Sequence, residues 1–313
     1  MANVITKTRE QTTKIPDDRY VNIYEMNNIT ELIYMEHPRK PIEVRKLNAT
    51  QYYDIFTGEI KNYKKSENRS QNYSSLRRTF ANLARIINLN VKPDYYFMLT
   101  LTYRQRENIN DDLKPMRDTK RLYKDLEKLK KALRYRYKDI EFIDVREPQQ
   151  SGSFHSHLIC IFKEKGKKIS KTVLQKLWPH GFSYVSYSDK YKDVDNLGLY
   201  FTAYFTDIPA PDKVPSYKLT KIKQSQKNGK KYEKGGRLKY YPPGFNIYTT
   251  SRGIIKPEPE RMTYQDIKKR PLGGVAYSRT YDVIAVEDQT FKSLNSITKI
   301  YFNTKISPDS NLA

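Results

Sequence analysis

The sequence predicts an α+β fold, and three observations carry that expectation. Short runs rich in β-branched and aromatic residues, such as YYFMLTLTYR after Pro93 and IEFIDVRE at 140–147, have the composition of sheet strands. Between them lie stretches whose apolar residues recur three and four apart, the period of amphipathic helices. The stretch 147–162, EPQQSGSFHSHLICIF, sets Gln149, Gln150, Ser151 and Gly152 between two strand-like halves, which is the composition of a hairpin joining antiparallel neighbours.

The first 70 residues are the least informative. YVNIYEM and QYYDIFTGEI alternate like strands, with a turn at Thr57 and Gly58, and KNYKKSENRSQNYSS reads as a polar linker. From Ser75 to Leu89, Leu76, Phe80, Leu83, Ile86 and Ile87 form a helical stripe, with Arg77, Arg78 and Arg85 elsewhere on the cylinder. In the strand that follows, Thr100 and Thr102 share one face and Phe97, Leu99 and Leu101 the other. A second helix is expected over 118–137, burying Leu122, Leu126, Leu129 and Leu133 beneath a dense Lys and Arg face.

After the histidine strand, Ser170 suits the N-cap of a helix that ends near Trp178, before Pro179 and Gly181, and GFSYVSY alternates as a fourth strand. Asp195 is placed to cap a helix NLGLYFTAYFTD. There Leu197, Phe201 and Phe205 repeat every four residues, and Tyr200 and Tyr204 form a parallel row one residue back. Two phenols on one flank of a helix can equally extend its core stripe with their hydroxyls at the edge. From Lys213 to Lys256 twelve Lys and Arg residues face the single acid Glu233, and Gly229, Gly235 and Gly236 interrupt them, which reads as a basic, phosphate-binding loop. A short helix at MTYQDIKKR and strands at TYDVIAVED and SITKIYF close the chain.

Only four histidines occur, and two of them, His155 and His157, are one residue apart. In a strand their side chains leave on the same face about 7 Å apart, a spacing that suits two ligands of one metal ion. Glu147, across the hairpin, brings a carboxylate to the same place, while Ser156 points to the other face. The same pattern also fits two polar residues on a solvated face.

Composition narrows the partners. The chain has 58 Lys and Arg against 35 Asp and Glu, a formal charge of +23, which favours a polyanion. Its 27 tyrosines interleaved with cations suit unpaired bases, which stack on rings while cations hold phosphates. The lone cysteine, Cys160, excludes a disulfide framework and a Cys-based zinc site. No apolar run has the length of a membrane span and the N-terminus has no signal-peptide core, so a soluble intracellular protein with no membrane partner is expected.

FMLTLTY at 97–103, the HSH of SGSFHSHLICIF and YFTAYFTD on the downstream helix resemble, in order and spacing, the three motifs of HUH endonucleases. Together with LWPHGF and IYTTSRGIIKPE they resemble most closely the rolling-circle replication initiators of bacterial plasmids and phages, over roughly 75–260. The resemblance implies a central antiparallel sheet with helices packed on it, RRM-like, and an enzyme that nicks and joins single-stranded origin DNA in the cytoplasm of a bacterial host. It divides the chain into an N-terminal segment 1–74, a nuclease domain 75–210, a basic loop and family-like motif 211–260, and a C-terminal extension 261–313. By motif position His155, His157 and Glu147 would hold Mg²⁺ or Mn²⁺, and Tyr200 or Tyr204 would be the nucleophile that forms a 5′-phosphotyrosine. Lys190, Lys192, Lys230, Lys231, Arg237, Lys239 and Arg252 are the expected DNA contacts, and a host helicase and polymerase are the implied partners.

The sequence departs from the family pattern in two places. The lysine usually found three residues after the tyrosine is replaced by Ala203 after Tyr200 and by Asp207 after Tyr204, and the bulky apolar residue between the histidines is Ser156. Either Lys190 or Lys192 substitutes for the lysine, or the chain binds origin DNA on a nuclease fold without cutting it. An RNA-binding protein that uses its charge and tyrosines is a third reading.

Overall fold

The computed structural model describes residues 3–9, 14–38, 44–63, 73–104, 117–149, 151–191, 196–204, 208–209, 222–224, 231–233, 240–287 and 290–308. Six strands come first: β1 (Asn3–Arg9), β2 (Tyr20–Met26), β3 (Ile29–Met35), β4 (Val44–Lys46), β5 (Gln51–Asp54) and β6 (Ile60–Asn62). Helix α1 (Tyr73–Asn90), β7 (Tyr96–Thr102), helix α2 (Thr119–Arg136), β8 (Glu141–Pro148) and β9 (Phe154–Ile161) follow. Next are helix α3 (Lys171–Leu177), β10 (Ser183–Tyr187) and helix α4 (Leu197–Tyr204). The short strands β11 (Ile208–Pro209), β12 (Ile222–Gln224), β13 (Lys231–Glu233) and β14 (Tyr248–Thr250) precede β15 (Glu260–Thr263) and helix α5 (Tyr264–Lys268). A long hairpin, β16 (Gly274–Glu287) and β17 (Thr290–Asn303), ends the described chain.

The fold is α+β, with antiparallel sheets and a few helices, as the strand and helix patterns predict. It divides into two compact units, Ser66–Pro257 and the union of Met1–Lys65 with Glu258–Ala313. None of the described helices is long and apolar enough to cross a membrane.

The unit Ser66–Pro257 is built on a five-stranded sheet in the order β10-β7-β9-β8-β14. Because strand side chains alternate, β7 divides its residues between two cores. Phe97, Leu99 and Leu101 pack with Leu158, Cys160, Trp178 and the α2 leucines on one face. Tyr96 and Met98 pack with Ile143, Val145, Ile159 and the α1 residues Leu83, Ile86 and Ile87 on the other, where Leu197 of α4 joins them.

Local chemistry sets the helix ends as expected. Asp118 accepts the amides of Lys120 and Arg121 at 2.8 and 3.3 Å, and Ser170 accepts that of Val173 at 3.2 Å, both N-cap bonds. Leu122, Leu126, Leu129 and Leu133 are the buried stripe of α2, as their spacing requires. Two expectations need correction. Arg85 lies buried on α1, its guanidinium donating to Asn82 Oδ1 at 3.1 Å, because this helix is covered on more of its circumference than its apolar stripe suggests. Tyr241, Phe245 and Ile247, read as the exit of a loop, lie in the α2-side core.

The second unit contains a six-stranded antiparallel sheet in the order β1-β16-β17-β3-β2-β15, with Val21, Ile23, Leu32, Ile267, Ile300 and Phe302 in its core. YVNIYEM is β2 as read, and β5 and β6 form the hairpin anticipated at Thr57 and Gly58, where Gly58 has φ +70.

Candidate metal centre

The hairpin between β8 and β9 places the three candidate ligands. Gln149 and Ser153 close it, with the Gln149 amide donating to the Ser153 carbonyl at 2.7 Å, and Gly152 supplies the positive φ of +83 that the turn requires. The register then sets Glu147 opposite His155 and Val145 opposite His157. On the other side of β9, Thr102 faces His155 and Thr100 faces His157. All of these side chains share one face of the sheet, as alternation predicts.

His155 Nε2 contacts Glu147 Oε1 directly, and His157 Nε2 lies 3.3 Å from the same oxygen. The two Nε2 atoms are 3.1 Å apart, with their rings perpendicular. One ligand atom from each of the three residues falls within 4.8 Å of the others. Neighbouring vertices of an octahedral site with bonds of about 2.1 Å are about 3 Å apart, so the donor separations suit a small hard divalent cation. One carboxylate and two imidazoles leave coordination positions open, and His157 is the least buried of the three.

Electrostatics favours the same use. Burial raises the Glu147 carboxyl, but the hydrogen bonds and charges of His155 and His157 outweigh it, so the group lies below the usual carboxylate range and is ionised. Thr100 Oγ1 lies 3.3 Å from His157 Nδ1, and a bond there fixes the ring with Nε2 facing the cluster.

Behind the histidines the opposite face carries a buried polar network that the sequence did not reveal. Ser156 Oγ donates to Asp144 Oδ1 at 2.7 Å. Arg146 donates to Asp144 Oδ2 from Nε at 3.2 Å and from Nη2 at 2.7 Å, and its guanidinium lies 4.4 Å from the centre of the Tyr123 ring. Asp144 and Arg146 are both almost fully buried. The serine between the histidines is therefore a hydrogen-bond partner inside this network, which accounts for the departure from an apolar residue.

The tyrosine-bearing helix α4 is fastened to α1. Asn196, and not the expected Asp195, caps it, accepting the Leu199 amide at 2.9 Å. Asn88 of α1 donates to Asn196 Oδ1 at 2.8 Å and accepts the Gly198 amide at 2.7 Å. A Cβ on Gly198 would collide with the Ala84 backbone, so only glycine permits this approach. Tyr200 is partly exposed on α4. Tyr204 ends that helix and Lys231 lies in β13, but their side chains are outside the described ones.

Of the other expected DNA contacts, Lys190 and Arg252 are exposed, with Lys190 Nζ 5.9 Å from the centre of the Tyr184 ring. Lys192, Lys230, Arg237 and Lys239 lie outside the described residues, as do Asp195, Phe205 and Asp207.

An antiparallel α+β unit that gathers a carboxylate and two imidazoles on one sheet face, beside a tyrosine-bearing helix, defines a candidate metal-dependent protein. Residues 96–208 match the family model of the replication-associated protein ORF2 group, an interval that runs from β7 through the histidines and α4. This match is consistent with a replication-initiator role. No curated protein and no solved structure matches the chain.

Proposed function

We propose that this chain is a rolling-circle replication initiator of the HUH type, which nicks and rejoins single-stranded origin DNA through a 5′-phosphotyrosine. The observation that carries this reading is the convergence of Glu147, His155 and His157 within the interval that matches a replication-associated family. Those three residues would hold Mg²⁺ or Mn²⁺, which when bound supplies Lewis-acid polarisation of the scissile phosphate.

The chain's own groups do the rest. The phenol oxygen of Tyr200 or Tyr204 attacks phosphorus, so a Tyr–O–P bond forms and the P–O3′ bond breaks. The phenolic proton is lost and the departing 3′ oxygen gains one, leaving a 3′-hydroxyl that can prime a polymerase. An ordinary tyrosine, with a pKa near about 10, is neutral at pH 7, so this attack depends on the charge stabilisation at the phosphate. Rejoining is the reverse transfer, and a second phenol permits two successive transfers. Lys190, Lys192, Lys230, Lys231, Arg237, Lys239 and Arg252 would hold the DNA backbone, and a host helicase and polymerase in a bacterial cytoplasm would use the nick.

A second reading rests on Ala203 and Asp207, which stand where the family pattern has a lysine. On that reading the chain binds origin DNA without cutting it. Incubation of a labelled single-stranded origin oligonucleotide with protein and Mn²⁺ or Mg²⁺, with and without EDTA, separates the two. Metal-dependent cleavage supports the enzyme, and binding without cleavage under either metal supports the binder.

A further inference from the structure

The edge of the metal-bearing sheet carries two exposed rings that the core does not use. β10 is an edge strand of its sheet, and Tyr184 on it faces Thr100, which in turn faces His157. The pairing continues one residue beyond the strand, where the Thr102 amide and hydroxyl both donate to the Phe182 carbonyl, at 2.9 and 3.2 Å. Residues two apart on a strand share a face, so Phe182 and Tyr184 lie on the face of His155 and His157. Two strand spacings of about 4.8 Å separate them from the histidines, roughly 10 Å.

Phe182 is 64% exposed and Tyr184 49% exposed, yet the strand is not frayed. Ser183 between them is buried, and Val185 and Tyr187 pack against the opposite core. Two adjacent exposed rings on an edge strand are costly unless something covers them. Charge and position indicate the occupant: Lys190 stands beside the Tyr184 ring, the chain carries +23, and the rings adjoin the candidate nicking centre. Bases stack on exposed aromatic rings with little regard to sequence, and a neighbouring cation takes the phosphate.

We propose that Phe182 and Tyr184 form a base-stacking platform that receives single-stranded DNA beside the metal cluster, with Lys190 as its phosphate contact. The proposal rests on the nicking reading above, and its test requires no cleavage. Fluorescence anisotropy in EDTA would compare a labelled oligo(dT) with an abasic deoxyribose-phosphate oligomer of equal length. Wild type, Phe182→Ala, Tyr184→Ala, the double variant, Tyr184→Phe and Lys190→Ala would be measured over a salt series, with circular dichroism as the check on folding.

Each alanine replacing a ring is expected to weaken oligo(dT) binding about tenfold, and the double variant should lose the preference for oligo(dT) over the abasic oligomer. Tyr184→Phe should bind as wild type. The salt dependence should be unchanged in the ring variants and shallower by about one in Lys190→Ala. Folded ring variants that bind both oligomers as wild type does would overturn the platform and leave the nicking reading standing. Wild type that binds neither oligomer would overturn both.

Discussion

The side-chain oxygen of Asn88 accepts the backbone amide of Gly198 at 2.7 Å, so helix α1 holds the first turn of the helix that carries Tyr200 and Tyr204. The same asparagine donates to Asn196, the cap of that turn. Together these bonds fix where the tyrosine helix leaves the sheet.

Gly198→Ala should therefore displace α4, since the added methyl meets the Ala84 backbone. A cost of about 1–3 kcal/mol is expected from overpacking. Nicking should fall while Mn²⁺ affinity, measured by titration calorimetry, stays within about twofold. A variant with normal nicking would show that the helix contact does not position the tyrosines.

Removing one ligand should separate cutting from binding. His157→Ala is expected to abolish Mn²⁺-dependent nicking and to leave salt-sensitive DNA binding nearly intact, because the histidine serves the metal and the Lys and Arg surface serves the phosphates. Gel-shift and cleavage assays on the same preparation check this. Equal loss of both in a folded variant would refute the division of labour.

Thr100→Val keeps the shape of the strand and removes the hydroxyl beside His157 Nδ1. The outer hydrogen bond orients the ring, so Mn²⁺ affinity should fall about 10–100-fold with no ligand removed. Unchanged affinity would show that the sheet alone orients His157.

Asp144→Ala leaves the Arg146 guanidinium buried without its carboxylate. Breaking one side of a buried pair costs about 3–5 kcal/mol. Ser156→Ala removes one hydrogen bond and should cost about 1–2 kcal/mol. Urea unfolding would rank them, and a smaller loss for Asp144→Ala than for Ser156→Ala would contradict the network.

Much of this was legible in the sequence because the signals were local. The two-residue period of the strand placed His155 and His157 on one face, and the short hairpin brought Glu147 to them. The leucine spacing of α2 and its Asp118 cap were likewise readable within a few turns of helix. What was not readable depends on partners far apart in the chain. Asn88 and Gly198 are 110 residues apart, and neither position has a pattern that names the other. Pairing of β3 with β17, residues 29–35 with 297–303, joins the two ends of the chain into one sheet, and strand composition alone cannot specify that partner. The polar spacing of Asp144 and Arg146 would suit an exposed strand face, whereas tertiary contacts from α2 and the segment near Thr249 bury both.

The central claim is a metal-dependent phosphotyrosine, and its most direct test is a denaturing gel of labelled single-stranded origin DNA with Mn²⁺ and wild type, Tyr200→Phe, Tyr204→Phe or the double variant. A covalent adduct that forms with wild type, disappears in EDTA and is absent from the double variant is the expected result. Loss in one single variant names the nucleophile, and loss only in the double variant means the two phenols replace each other. Authentic origin DNA that is bound by wild type but yields no adduct with Mg²⁺ or Mn²⁺ would contradict the account.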